Sequence, residues 1–419
     1  MSGDPEPAAG AGSGPPLAGV TVVDLTTALS GPYATLLLAG LGARVVKVER
    51  PGDGDTSRHN APYVGREGLK PRRTEAEDMS ISMLLRGRGK QAITLDLKHP
   101  AGREVLCDLV RRSDVLVENF SAGVTRRLGL DPEAMLAVNP RLVYTSISGF
   151  GADNPGKAMD SVIQALSGVM LASGGPGDDP VRFGLPIGDL LAPLYAVIGT
   201  LAALREADRT GQGQHVDVSM LGALTALMAC EPFDAFERLG LQQRTGNTVP
   251  RLAPFGIFPT RDGYVSLSAP TDAFAGAVFR AMDRPDLVGD ERFATRDARV
   301  ARADQLHALI GAWTRTLSTQ DAVERLVGAG APCAPVRTPA EAIVDPLVRD
   351  RGEVVPLAHP DFGDVAGLTG TGLPVVFSRS EAGFEQPPPR PGEHTREVLL
   401  GLLGYSEAHL ARLTQDGVL

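Results

Sequence analysis

The chain has 419 residues, of which 43% are hydrophobic and 22% charged, and its formal net charge is −9. These values predict a globular protein large enough for a well-buried core and for more than one domain. The acidic balance argues against a nucleic-acid-binding protein, which would usually carry a basic domain or stripe, so we expect no nucleic-acid partner.

The first 16 residues read MSGDPEPAAGAGSGPP. This Pro/Gly/Ala-rich stretch predicts a disordered tail at residues 1–16, and it lacks the basic start and apolar core of a signal peptide. We therefore expect a cytoplasmic protein. The longest uncharged apolar run, residues 190–204, is shorter than the about 20 residues that cross a bilayer. It predicts a buried helix and no membrane partner.

Short β-branched runs alternate with helical stretches in the first half of the chain. The predicted strands are Val20–Leu25, Ala43–Glu49, Ala92–Leu97, Ser113–Asn119 and Leu142–Ser148, and the predicted helices include Pro32–Leu41 and Pro100–Arg112. This alternation is typical of a doubly wound, Rossmann-like α/β domain with a parallel sheet. We assign residues 17–220 to this large domain.

The pattern changes after residue 220. A helical stretch is followed by two predicted strands around the turn Arg261-Asp262-Gly263, and then by a helix-rich region. We interpret residues 221–325 as a smaller α+β domain. A Pro- and Gly-rich segment follows, GAGAPCAPVRTPAEAIVDP, and we assign residues 326–419 to the return of the chain to the large domain.

Two acidic strand ends raise the hypothesis of a dinucleotide-dependent oxidoreductase. Asp24 and Glu49 end the first two strands, where a Rossmann enzyme would hold a ribose. After Leu25, however, the chain reads TTALSGPYATLLLAGLG, in which only Gly31 lies near the turn. The GxGxxG loop that seats a pyrophosphate is absent, so this hypothesis is weak.

Basic residues gather near the predicted second and third strands. They are Arg50 and Arg58, around a loop of Gly, Pro and Asp, and Arg86, Arg88 and Lys90 in RGRGK. Doubly wound folds bind ligands at such strand and loop ends, so these residues predict an anion pocket in an otherwise acidic protein.

A single carboxylate precedes the most apolar helix. The stretch GLPIGDLLAPLYAVIGTLAALREA, residues 184–207, places Asp189 between Gly188 and a long run without charge. From composition alone this is a helix N-cap. A reactive carboxylate would suit the same position.

Motifs from residue 17 to the C-terminus resemble a known family. They are LAGVTVVDLTTALSGPYATLLLAGLGARVVKVERPGDGD, SDVLVENFSAGVTRRLGL, the segment 149–204, TGNTVP with PTRDGYV, APCAPV and HTREVLLGLLGYS. In this order they are similar to the family III CoA-transferases, the group of formyl-CoA transferase and carnitine CoA-transferase. The same family includes the α-methylacyl-CoA racemases, and the resemblance singles out no substrate.

The resemblance implies a role for each matched residue. Asp189 matches the catalytic aspartate, which follows a glycine at the start of an apolar helix. The CoA site is implied at Arg50, Asn119, Phe120, Arg127 and Lys157, and the loop beside the pantetheine at Ala28, Leu29 and Ser30. We add Arg88 and Lys90 from the predicted anion pocket. CoA is then a substrate, and no separate cofactor is expected.

Carboxylate chemistry gives an independent reason for an aspartate here. An ionised carboxylate attacks a thioester carbonyl without a separate base, which gives an acyl-aspartyl anhydride and CoA thiolate. Return of the thiolate to the aspartyl carbonyl gives an enzyme–CoA thioester and a free acid. An incoming acid then repeats these steps in reverse. The expected partners are thus an acyl-CoA and a carboxylic acid.

Other functions remain as alternatives. Racemisation next to the thioester needs two opposed bases, and the racemases carry a GHD motif where this chain reads GKAMDS, with Met159 at the position of the histidine. Asp160 alone is then a structural or substrate-contacting residue. A non-catalytic CoA-binding scaffold would need a damaged nucleophile, whereas Asp189 is intact. Ser/His/Asp hydrolysis lacks a GxSxG elbow, and the isolated histidines predict no metal site.

The resemblance also implies an assembly. Members of this family form interlocked homodimers in which each chain is a ring threaded by its partner. The large–small–large order of the predicted domains fits such a ring.

Overall fold

The computed structural model describes residues 14–384 and 386–419. The predicted disordered tail at residues 1–16 therefore lies almost wholly outside the described residues. The chain divides into two compact units. The first comprises residues 14–167, 184–227 and 343–419, and the second comprises residues 168–183 and 228–342.

Fourteen strands form within the described residues. They are β1 Thr21–Asp24, β2 Arg44–Glu49, β3 Tyr63–Gly65, β4 Gly68–Lys70, β5 Met79–Ser80, β6 Lys90–Thr94, β7 Val115–Glu118, β8 Val143–Ser148, β9 His215–Ser219, β10 Phe255–Pro259, β11 Tyr264–Ser268, β12 Cys333–Pro335, β13 Val354–His359 and β14 Gly363–Thr371.

Eighteen α-helices, many of them one or two turns long, form within the same residues. They are α1 Ser30–Gly40, α2 Ile81–Arg86, α3 Pro100–Arg111, α4 Val124–Leu128, α5 Pro132–Val138, α6 Asp160–Leu166, α7 Val169–Ala172, α8 Ile187–Thr210, α9 Met220–Met228, α10 Phe233–Arg238, α11 Asp272–Ala281, α12 Arg296–Ala301, α13 Ala303–Thr314, α14 Thr319–Gly328, α15 Pro339–Ala342, α16 Pro346–Arg349, α17 Thr395–Glu397 and α18 Glu407–Gln415. Thr56–His59 and Pro285–Val288 form 3₁₀ turns, and Val398–Leu402 forms a π-helical turn.

A six-stranded parallel sheet is the centre of the first unit. Its strand order is β6-β2-β1-β7-β8-β9, and all five neighbouring pairs are parallel. In sequence terms this is the order 3-2-1-4-5-6 of a doubly wound sheet, which reverses direction between β1 and β7. The predicted parallel α/β sheet is confirmed, and all five predicted strands form.

Buried strands and amphipathic helices explain why this part of the sequence is so regular. Val22, Val23 and Leu116 are fully buried, as expected of central parallel strands covered on both faces. Leu106 and Leu109 of α3 pack in the same core as Val23 and Leu116. Helices α1 and α8 pack against each other, and α8 also covers β8 and β9.

Helix α8 spans residues 187–210 and is longer than the uncharged run 190–204 from which a helix was predicted. Its 24 residues are long and apolar enough by length and composition to cross a membrane, but core helices pass the same test. In this structure one face packs on the sheet. The other face is open: Leu194 and Tyr195 are 41% exposed and Ile198 is 62% exposed. The predicted buried helix is therefore buried on one face only.

The second unit has its own core. Its antiparallel sheet has the order β10-β11-β12, and the predicted hairpin around Arg261-Asp262-Gly263 is present, with Pro259 opposite Tyr264. Phe258, Val265 and Leu267 of this sheet pack with Val278 and Phe279 of α11.

The unit boundaries differ from the predicted domains. Strand β12 pairs with β11, with Cys333 opposite Leu267, so the chain leaves the second unit after residue 342 rather than at 326. Residues 221–227 stay with the first unit, and residues 168–183 join the second. Pairing between strands distant in sequence sets these limits, and composition carries no signal of it.

Candidate active site

The Gly188-Asp189 pair lies in the first turn of α8. Pro186 is the N-cap and makes no side-chain cap bond. The cap comes from another helix: Asp160, at the start of α6, accepts a hydrogen bond from the Gly188 N–H at 2.8 Å. Its other carboxylate oxygen accepts one from Gln164 at 2.7 Å. Asp189 is therefore not the N-cap, and its side chain is left for another purpose.

A glycine is needed beside Asp189. A Cβ on Gly188 would lie 3.2 Å from Asp160 Oδ1, 3.1 Å from Leu224 Cδ1 and 3.3 Å from Met220 Cε. The backbone of α8 approaches the Asp160 carboxylate closely only because this position has no side chain. Gly188 thus fixes the position of the backbone that carries the Asp189 side chain.

The Asp189 carboxylate is half-buried and unsatisfied by its neighbours. Within residues 14–384 and 386–419, no group donates a hydrogen bond to it. Burial first and the nearby Asp160 charge second raise its pKa, the Arg86 charge opposes both, and the net result is a pKa of about 6. The carboxylate is mostly ionised at neutral pH and weakly solvated, which favours reactivity as a nucleophile.

This raised pKa predicts a pH-dependent stability. The folded state holds the Asp189 proton more tightly than the unfolded state, whose pKa is 3.8, so the ionised carboxylate destabilises the fold as pH rises from 3.8 through about 6. We expect Asp189→Asn to raise the free energy of unfolding by on the order of 1 kcal/mol at pH 8, allowing for partial solvent screening, and by less at pH 4.5. Urea denaturation at both pH values measures this. An equal effect of Asp189→Asn on the free energy of unfolding at both pH values would contradict the raised pKa of Asp189.

The loop of residues 27–30 is fixed by hydrogen bonds to side chains outside it. Asn119, just after β7, exchanges two 2.9 Å hydrogen bonds with the backbone of Thr27. The Ala28 N–H donates to Asp55 at 3.0 Å, and Ala28 has a φ of 67°, which few residues other than glycine adopt. Such strain persists where the surroundings enforce it and is common at functional sites.

The N-termini of α1 and α8 lie at the same edge of the parallel sheet. Both helices run opposite to the strands, so both begin at the carboxyl edge of the sheet. Leu37 and Leu41 of α1 pack in one cluster with Val197 and Leu201 of α8, which places Ser30 level with Asp189. Ser30 is buried, and its hydroxyl has no hydrogen-bond partner among the described residues. The predicted loop of Ala28, Leu29 and Ser30 thus adjoins Asp189.

A cavity of about 330 Å³ opens at the point where the strand order reverses. Its apolar walls are Leu25, Val48, Leu95, Leu97, Phe120 and Leu128. Three cations, Arg50, Lys98 and Arg127, also line it, and all three are exposed. Exposed cations around an apolar slot suit a nucleotide with phosphates. The structure therefore brings together the predicted residues Arg50, Phe120 and Arg127, with Asn119 next to Phe120.

Three of the predicted anion-binding cations are buried in structural roles. Lys90 is fully buried, pairs with Asp24 at 3.0 Å and donates to Thr35 at 2.7 Å. The Arg88 guanidinium donates to the Thr371 carbonyl at 2.7 Å and lies over the Phe384 ring. Arg58 forms two hydrogen bonds with Glu49, at 2.6 and 2.7 Å.

These pairings correct the sequence interpretation of Arg88 and Lys90 as CoA contacts, because neither presents a free charge at the surface. Glu49, at the end of β2, is buried in its pair with Arg58. Lys157 is exposed and does not line the cavity.

Arg86 and Lys98 are the residues that sequence reasoning undervalued. The sequence analysis places Arg86 only among the cations of the predicted anion pocket, yet it is the cation whose charge acts on Asp189. Lys98 follows β6 in the text LDLKHP and was overlooked. Its position after a strand of the parallel sheet was the available signal, because such positions meet at one edge.

Comparisons with known proteins agree over almost the whole chain. The sequence model of CoA-transferase family III matches residues 17–395. The chain is 33% identical over 393 residues to succinate–glutarate CoA-transferase of Agrobacterium fabrum, covering 93% of this chain and 96% of that protein. It is 34% identical over 409 residues to succinyl-CoA–D-citramalate CoA-transferase of Chloroflexus aurantiacus, covering 96% and 98%.

A solved structure supports the same relationship. A CaiB/BaiF family protein from Brucella suis superposes with a TM-score of 0.80 at 32% identity, covering 93% of this chain and all of that chain. Sequence and fold thus agree, and the chain belongs to CoA-transferase family III and is an enzyme of that family.

Proposed function

We propose that this enzyme moves CoA from an acyl-CoA thioester to a free carboxylic acid, with Asp189 as the covalent nucleophile. One observation carries the proposal: the only carboxylate in the first turn of α8 is half-buried and lacks a hydrogen-bond donor among the described residues. A structural aspartate at a helix start would make the cap bond, and Asp160 makes that bond instead.

The reaction then proceeds by exchange at carbonyl carbons. An Asp189 oxygen bonds to the thioester carbonyl carbon, the C–S bond breaks, and CoA thiolate leaves. The thiolate attacks the Asp189 carbonyl of the resulting anhydride and releases the first acid as carboxylate. The incoming acid attacks the carbonyl of the Asp189–CoA thioester, the C–S bond breaks, and CoA thiolate leaves a second anhydride. The thiolate then takes the new acyl group and frees Asp189.

Helix starts supply the electrostatics of these steps. Each tetrahedral intermediate carries a negative oxygen, and the N–H groups at the starts of α1 and α8 present positive dipole ends to that region. Pro32 has no N–H, and within the described residues no protein acceptor takes the N–H groups of Leu29, Ser30 and Gly31. These donors, with the Ser30 hydroxyl, are available to a substrate.

The cavity at the sheet reversal suits the nucleotide end of CoA, which enters as a substrate. Phe120 and the leucine walls would contact the adenine, and Arg50, Lys98 and Arg127 would meet its phosphates. The loop of Ala28, Leu29 and Ser30 lies between this cavity and Asp189, because Thr27 lines the cavity and Ser30 is level with the aspartate. Pantetheine would run along that loop.

This placement predicts the effect of removing a cavity cation. Arg50→Ala and Arg127→Ala should each raise the KM of every acyl-CoA by a similar factor, about 5- to 20-fold, with a smaller effect on kcat, because contacts to CoA bind ground and transition states alike. The effect should shrink as salt rises. Initial rates with two different acyl-CoAs measure it. An unchanged KM in both variants would place CoA elsewhere.

Racemisation is the alternative within the family. Met159 is 73% exposed and cannot move a proton, and the Asp160 carboxylate is occupied by Gly188 and Gln164. Incubation of a chiral 2-methylacyl-CoA in deuterium oxide distinguishes the two reactions. Transfer requires an added acid and leaves the α-carbon unlabelled. Labelling without an acceptor acid would make Asp160 and Asp189 opposing bases and overturn the proposal.

A homodimer is part of this proposal. Val162 and Leu166 on α6 and Leu194, Tyr195 and Ile198 on α8 are large apolar side chains exposed on the first unit. A second copy of the chain would cover them, as the interlocked dimers of the family imply. Light scattering coupled to size exclusion measures the mass, and a monomer at micromolar concentration would contradict this part.

A further inference from the structure

The backbone of residues 26–28 is bonded entirely to side chains. Each of its three N–H groups donates to a side-chain oxygen, and each of its three carbonyls accepts from a side-chain nitrogen, at distances of 2.8 to 3.2 Å. The side chains come from separate parts of the first unit: Asp24, Lys47, Asp55, Arg86 and Asn119. Regular secondary structure would pair such groups with other backbone groups. Here the side chains set the course of the loop, whose Thr26 and Thr27 line the cavity at the sheet reversal.

Ala28 is the strained residue of this loop. Its φ of 67° is a conformation that few residues other than glycine adopt. Two bonds hold it there, because its N–H donates to Asp55 at 3.0 Å and its carbonyl accepts from Arg86 at 3.2 Å. Without these bonds an alanine would return to a negative φ, and the chain would enter α1 in another direction.

Asp55 is itself held by several neighbours. Its Oδ2 lies 2.7 Å from Lys47 Nζ, and the two side chains are 1% and 2% exposed. Its Oδ1 also accepts from the Ser57 N–H at 2.8 Å, and its own N–H donates to Glu49 at 2.9 Å. A Cβ on the preceding Gly54 would lie 2.6 Å from Glu49 Oε2, so this close approach needs a glycine. The Asp55 carboxylate is thus a rigid, buried acceptor for the Ala28 N–H.

The donors that follow Ala28 are free. Within the described residues no protein acceptor takes the N–H groups of Leu29, Ser30 and Gly31. Ser30 is 4% exposed, and its hydroxyl has no hydrogen-bond partner among those residues either. A buried hydroxyl without a partner is costly, which indicates that a ligand takes it. The loop therefore divides at Ala28 into a half that is fully bonded and a half that keeps its donors for a ligand.

We infer that Asp55 is a positioning residue, which holds Ala28 in its left-handed conformation and so directs the free donors of residues 29–31 at the thioester oxygen. The inference rests on the proposed function, in which these donors meet the negative oxygen of each tetrahedral intermediate. Donors that act mainly on this oxygen lower the barrier without tightening the binding of CoA. Loss of Asp55 should therefore reduce kcat and spare KM.

Kinetics of Asp55 variants test this inference. Asp55→Ala should lower kcat about 100-fold and change the KM of the acyl-CoA less than about threefold. Asp55→Asn keeps an oxygen acceptor for the Ala28 N–H and should retain more of the activity. Initial rates of exchange between succinyl-CoA and isotopically labelled succinate give both constants. A raised KM with an unchanged kcat would make Asp55 a contact of CoA and overturn the inference.

A second substitution, Ala28→Gly, separates positioning from a merely structural role. Glycine takes the left-handed conformation without help from Asp55. The factor by which Asp55→Ala lowers kcat should therefore be at least about fivefold smaller in the Ala28→Gly background than in the wild-type background. An equal factor in both backgrounds would overturn the inference. If Asp55→Ala does not fold, Asp55→Asn is compared in the two backgrounds by the same criterion.

A matched control lies at the opposite edge of the sheet. The Asp114 carboxylate accepts a hydrogen bond from the Thr21 N–H at 2.8 Å, at the amino end of β1. Asp114→Ala removes the same kind of bond and should leave kcat and KM within about twofold of wild type. Failure of the proposed function is distinct, because then no acid would accept CoA or Asp189→Ala would remain active.

Discussion

Asp189→Ala should transfer CoA at least about 10⁴-fold more slowly than wild type, because the variant has no oxygen with which to form the anhydride. CoA binding should persist, since the cavity with Arg50, Lys98 and Arg127 does not include Asp189. Initial rates of acyl exchange and calorimetric titration with CoA measure the two effects. Little stability should be lost, because Asp160 and not Asp189 caps α8.

A matched control lies on the same helix. Asp208 is 70% exposed near the end of α8 and pairs with Arg141 at 3.6 Å. Asp208→Ala removes a carboxylate of the same kind far from the first turn and should keep wild-type rates. If Asp189→Ala keeps a tenth of wild-type turnover, covalent catalysis through this residue is wrong.

Lys90→Met should lower the free energy of unfolding by about 3–5 kcal/mol, because it leaves the buried Asp24 carboxylate without one of its two cations. Burial would raise the pKa of Asp24, but Lys47 and Lys90 together hold it well below its usual value. Burial lowers the pKa of Lys90 itself to about 8, with Lys47 acting in the same direction and Asp24 opposing the shift. Urea denaturation at pH 7 measures the change.

Lys98→Met is the contrasting variant. Lys98 is exposed on the cavity wall, so its loss should raise the KM of acyl-CoA and leave the free energy of unfolding within about 0.5 kcal/mol of wild type. The two lysines lie eight residues apart in sequence. Nevertheless, we expect Lys90→Met to change the stability and Lys98→Met to change the KM of acyl-CoA. A normal unfolding midpoint for Lys90→Met would contradict the structural role of Lys90.

The central sheet was predictable because its strands are buried on both faces and read as short β-branched runs between helices. Strand β9 was missed: it lies at the edge of the sheet, is only partly buried, and carries His215 and Asp217. The hairpin of β13 and β14 was missed for a related reason, since glycines interrupt its pattern. Edge strands and hairpins depend on partners that no local pattern shows.

Residues of the candidate site could be predicted from the sequence where a position in the fold requires a particular residue type. Gly188 and Asp189 at a helix start, and Asn119 after a strand, are of this kind. The cations were not predictable in the same way. Arg86, Arg88 and Lys90 stand within five residues, yet one lies near Asp189, one lies over Phe384 and one pairs with Asp24. Which face each side chain takes is decided by distant partners.

The central claim is a covalent bond at Asp189, and intact-mass spectrometry after brief mixing with an acyl-CoA tests it most directly. The account predicts an added mass equal to CoA without one water, located by peptide mapping to the segment that contains Asp189 and absent from Asp189→Ala. The adduct should disappear when a carboxylic acid is added and the new CoA ester appears. An unmodified protein that still forms the new ester, or an adduct at another residue, would contradict the account.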